Sequence, residues 1–138
     1  MSARFRLRRP DGKIFLERWG WECRWFGVFV HHMQAPDPGR DLHDHPWWFA
    51  SMILKGGYAE YRALARDSQR RRILHRRPWS WKALRREECH TIFYLQDDTW
   101  TLVLHGPRRG TWGFYKDDGW VEWHDYDGAG NTDIGVVD

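Results

Sequence analysis

The chain has 138 residues, 41% of them apolar at a mean hydropathy of −0.80, a length that suits one domain with a core needing no staples. Net charge is +3 and the pI about 9.1; four of the 22 basic residues are Lys (Lys13, Lys55, Lys82, Lys116) and the rest Arg, too modest an excess for a dedicated nucleic-acid binder. Cys23 and Cys89 make no disulfide framework, no apolar run nears the ~18 residues of a membrane span, and residues 1–6 have no apolar leader core, so a cytoplasmic protein with reduced thiols is expected.

Eleven Trp and 17% aromatics favour strands, and the chain reads as short strands in order. Residues 4–9 alternate Arg-Phe-Arg-Leu-Arg-Arg and predict an edge strand, a surface on which a homodimer could pair. Pro10-Asp11-Gly12 turns the chain into a second strand over 14–19. Residues 25–33 are β-branched and aromatic and end in His31-His32, whose side chains must point to opposite faces. A Pro- and Gly-containing loop at 35–40 follows.

Residues 49–55 predict a buried strand closed by the Gly56-Gly57 turn, and 58–62 the strand leading away. Further strands are predicted over 71–75, 79–84, 90–95, 100–105, 111–115 and 121–123. The core runs from about residue 14 to 124, and the Gly-rich, acidic 127–138 is expected to fray. Strands at roughly 8–12-residue spacing, with no helical period and no repeat, predict one all-β domain over 1–138, a sandwich or barrel.

The chemistry gathers at Gly39-Arg40-Asp41-Leu42-His43-Asp44-His45-Pro46-Trp47-Trp48. On an extended strand, His43 and His45 point to the same side and can chelate one metal. A third imidazole is available at His90 on another predicted strand. Three histidines leave coordination positions open, which suits catalysis more than a closed structural site.

These residues resemble the cupin superfamily, small jelly-roll β-barrels with a central metal. Its first motif is a Gly, then His-x-His, a Glu and a closing Gly; here it reads Gly39, His43, His45, no Glu, then Gly56-Gly57. Of the second motif only His90 survives, with Arg85 and Glu87 in the Pro and Gly places. The resemblance covers about residues 25–115 and implies a cupin-type jelly-roll β-barrel. Residues 43–47, 54–60 and 104–114 also resemble small uncharacterised cupin-like proteins of actinobacterial phages and bacteria, a likeness that implies a fold and no activity.

Without the motif's Glu, the three-His set is similar to the cysteine dioxygenase-like branch, whose Fe(II) is held by three histidines. This implies an Fe(II)-dependent, dioxygenase-like enzyme acting on a small molecule, with Zn, Ni or Mn as other metals the site suits. Glu60 is the candidate fourth ligand or general base, and Tyr58, on its face, the candidate ligand-contacting hydroxyl. Two alternatives stand beside the dioxygenase. One is a metal-dependent isomerase or hydrolase with Glu60 as base. The other is a non-catalytic barrel that binds a sugar or metabolite, with Arg76, Arg77, Arg85 and Arg86 available to phosphate or carboxylate. His31, His32 and His105 receive no role.

Overall fold

The computed structural model describes residues 2–8, 12–36, 41–63, 71–86, 88–116, 119–125 and 136–137. Gly39, Glu87 and most of the 127–138 tail lie outside them. The first strands are β1 (Ser2–Arg8), β2 (Ile14–Glu22), β3 (Gly27–Met33), β4 (Leu42–His43), β5 (Phe49–Lys55) and β6 (Tyr58–Ala63). Then come β7 (Arg72–Arg76), β8 (Trp81–Leu84), β9 (Cys89–Leu95), β10 (Thr99–His105), β11 (Gly113–Lys116) and β12 (Gly119–Glu122). A 3-10 turn at Trp123–Asp125 and β13 (Val136–Val137) complete the described elements. None of them is a helix long and apolar enough to cross a membrane.

Every strand pair is antiparallel. One sheet runs β13-β1-β2-β3-β10-β5-β8 and the other β12-β11-β4-β9-β6-β7. The expected all-β jelly roll is what the chain forms. Alternation along each strand decides which residues face the second sheet. On β5, Phe49, Ser51 and Ile53 are buried inward, while Ala50 and Met52 alternate outward. On β10, Thr99, Thr101 and His105 are the buried set. Phe29, Ile53 and Leu84 are 2% exposed or less, and burying such side chains contributes about 1.5–3 kcal/mol each.

The outward face of the seven-stranded sheet is not polar. Pairing aligns Trp19, Val30, Leu102, Met52 and Trp81 in one row across five strands. The next row is Trp21, Val28, Leu104, Ala50 and Ala83. Charge returns only at the margin: Glu17 binds Arg6 at 3.0 Å, and Asp98 takes Lys55 and His32.

Two sequence expectations change at this level. His43 closes the two-residue β4, so His45 lies beyond the strand on which the pair was expected to sit. Asp44 explains it: its backbone N–H donates to Gly113 O at 3.1 Å, and its carboxylate accepts from Gly113 N at 2.8 Å, which ties the chain to β11 there. β8 begins at Trp81, because Trp79 takes a left-handed φ of 66° in the preceding turn. Residues 136 and 137 pair with Leu7 and Arg6 on the outer edge of β1, and the rest of the tail lies outside the described residues.

Candidate metal centre

β4 and β9 are neighbours in the six-stranded sheet, and their register places His43 directly opposite His90. Their ring centroids lie 4.8 Å apart. The turn that follows Asp44 swings His45 onto the same spot, 5.1 Å from each of the other two rings. One ring nitrogen from each of His43, His45 and His90 lies within 4.8 Å of the others. The structure therefore brings together the three histidines that the spacing singled out.

Phe49 from the facing sheet packs edge-on to His45 at 4.6 Å, and Phe114 lies 6.0 Å from His43. These rings give the cluster apolar walls, with His90 buried and His43 and His45 partly exposed. Burial, followed by the neighbouring His43, His90 and Lys82, holds the His45 imidazole well below its ordinary value. For His90, burial and then the Lys82 ammonium win over the attraction of Glu60 and bring it down to about 4. Both rings are thus neutral at pH 7, the form that ligates a metal.

Glu60 stands behind His90. His90 Nδ1 donates to Glu60 Oε2 at 2.7 Å, which leaves Nε2 as the ring's ligand atom. The same oxygen accepts from Lys82 Nζ at 2.6 Å, and Oε1 accepts from Arg62 at 3.1 Å. Burial alone would raise this carboxyl, but Lys82 and His90 hold it well below the usual carboxylate range. Glu60 is not among the clustered ligand atoms. Tyr58 is 5% exposed, packs with Ile53 and Ile92, and lies under the Lys82 ammonium at 5.0 Å.

Lys82 was missed by the sequence reading. Within Trp81-Lys82-Ala83-Leu84, hydropathy points the Trp inward, yet Trp81 is 63% exposed and Lys82 6%. The available signal was Leu84: if it faces the core, the period of two turns Lys82 inward as well. Of the four arginines considered for anions, Arg76 is buried and donates to the carbonyls of Ser51 and Ser80.

The donor set fits a divalent transition metal. Three neutral imidazoles converge, one already has its second nitrogen bonded to a carboxylate, and His45 Nδ1 is buried without a hydrogen-bond partner in the structure. Beneath the facing sheet, His31 lies on β3 beside Arg18 and His105, while His32 points outward and stacks on Trp100 at 4.3 Å. His105 stacks on Trp47 at 4.4 Å.

No protein-family model matches the chain, and no curated protein sequence matches it. Solved structures do match in shape. KdgF from Halomonas sp. is 15% identical, with 69% of this chain and 81% of that one covered at a TM-score of 0.52. An FeII HppE structure is 9% identical, covering 74% and 56% at 0.55. Oxalate decarboxylase from Bacillus subtilis is 13% identical, covering 90% of this chain and 30% of that longer one at 0.58. At these identities the likeness speaks of architecture alone: the chain is a single domain with the cupin fold, and within that fold it carries a three-histidine cluster.

Proposed function

We propose that the chain is a metal-dependent enzyme with His43, His45 and His90 as the ligands of one divalent transition metal, Fe(II) foremost, and that its reaction is an oxygenation of a small molecule in the barrel. The observation that carries this reading is the cluster itself: three imidazole nitrogens within 4.8 Å and no carboxylate among them. Fe(II), when bound, supplies open positions for O₂ and for a chelating substrate. That one of the similar structures is an FeII enzyme supports the choice of metal.

The chain's own residues prepare the site. Glu60 fixes the His90 tautomer and ring angle through Nδ1, and Lys82 keeps Glu60 ionised. In this reading Glu60 is a positioning residue, since both of its oxygens are engaged by protein donors. Tyr58 supports Lys82 by placing its ring under the ammonium. Phe49 and Phe114 line the cluster with apolar rings beside His45 and His43. The two cysteines, both unpaired, agree with a cytoplasmic setting.

The test is metal analysis of wild type beside His45→Ala and His90→Ala, followed by O₂ uptake with small thiols and other chelating substrates. About one iron per chain, lost in both variants, together with substrate-dependent O₂ uptake, is expected. No metal in reconstituted wild type removes the reading. Turnover that persists without O₂ on Zn or Mn assigns the site to an isomerase or hydrolase instead.

A further inference from the structure

A sheet covered on one side usually presents alternating polar side chains to water on the other. The seven-stranded sheet does not. Its two central outward rows cross β2, β3, β10, β5 and β8 with no charged residue, and Trp81, Trp21, Val28 and Leu104 in them are 38–63% exposed. We propose that this face is the interface of a homodimer, two copies packing sheet against sheet about a twofold axis.

Size argues for a protein partner. Five strands at about 4.8 Å spacing, with rows about 7 Å apart, extended by Trp100 at one end and Phe26 at the other, cover roughly 600 Å² in flat projection. The relief of four tryptophans carries the accessible area toward the ~800 Å² that each partner gives to a standard interface. Outward faces of two sheets pack in this way when their strands lie within about 30° of each other.

Chemistry argues for a second copy. The only side-chain polar atoms in the two rows are three indole N–H groups and the weakly accepting Met52 sulfur, too few to recognise a sugar. A cationic rim would suit a lipid surface or a nucleic acid, but this rim carries both signs: Arg4, Arg6 and Glu17 on one side, Lys55 and Asp98 on the other. A mixed rim around an apolar centre is what two identical surfaces tolerate, because an isologous contact places each patch against itself. The alternative for pairing, the edge of β1, is taken in part by β13. The metal centre lies on the other side of this sheet, so dimerisation leaves it intact.

Sedimentation velocity and light scattering of the full chain, at low and high micromolar concentration, test this. Wild type is expected at twice the 16.7 kDa chain mass. Leu102→Glu, at the centre of the face, and Trp81→Glu, on its exposed margin, are each expected at the single-chain mass with wild-type far-ultraviolet circular dichroism and metal uptake. If Leu102→Glu fails to fold, Trp81→Glu decides alone. A monomeric wild type across the range overturns the proposal, as does an aggregate of no defined mass or a dimer that survives in folded Trp81→Glu. A monomer that floats with phosphatidylcholine vesicles overturns it in favour of a lipid surface.

Discussion

Glu60 has both oxygens engaged by protein partners, and the energetic consequence is asymmetric. Lys82 is 3% exposed in its side chain and Glu60 is fully buried. Removing one charge of a buried pair leaves the other uncompensated, at a cost of about 3–5 kcal/mol, whereas removing both is close to neutral. Glu60→Gln is therefore expected to destabilise by that amount in a denaturant titration, and adding Lys82→Met to recover most of it. The double variant retains an acceptor for His90 without the negative charge, so its metal affinity is expected to fall about 10–100-fold. His31 makes a separate acid-side prediction. Burial, then Arg18 and His105, brings it down to about 3, below the ordinary 6.5, so between those values the unfolded chain binds a proton that the folded chain refuses. Its contribution is whole above pH 6.5 and lost as pH falls toward 3. The unfolding free-energy difference between wild type and His31→Gln is expected to be flat above pH ~6.5 and to shift in the variant's favour below it. The three clustered histidines were legible because imidazole suits metal ligation and their spacing is informative. Lys82 was not, because its cost of burial is met by Glu60, a partner 22 residues away.

At the level of elements, the turn after β5 shows how the barrel end is held. Gly56 takes a φ of 77°, a conformation for which the missing Cβ is required. Thr99, fully buried at the start of β10, locks the neighbouring backbone: its hydroxyl accepts from Gly57 N at 3.1 Å and lies within donating distance of Gly57 O and Gln96 O. Thr99→Val keeps the shape and takes the acceptor from Gly57 N, while Gly57 O keeps the Gln96 N–H at 2.9 Å, so a loss of about 1–3 kcal/mol is expected, read as a fall of several degrees in the thermal midpoint. Most strands were readable because alternation and turn residues agree with each other. Residues 49–55 form a strand with the same bounds that the pattern gives. β4 was not readable as a strand of its own, since two residues carry no period and the Asp44–Gly113 bonds that define its end span 69 positions. The orientation of β8 carries no sequence signal of its own, because its outward Trp81 obeys the apolar character of a face rather than the rule that tryptophan goes inside.

For the molecule as a whole, fold class was the most legible property. Regular turn spacing and the lack of any helical period determine an all-β chain without knowledge of any contact. The pairing order could not be read, since β10 sits between β3 and β5 and β9 between β4 and β6, partners brought together only by the closed roll. The two thiols sample two parts of that roll. Cys23 is exposed in the β2–β3 connection, whereas Cys89 is fully buried between Leu42, Ala63 and Tyr115, with burial and then Asp44 pushing its thiol up to about 11. An alkylating reagent therefore meets one thiolate source on the folded chain and two on the unfolded one. Each molecule records its own folding state as a mass increment, one adduct or two, and the native protein offers a single attachment point for a dye without any substitution.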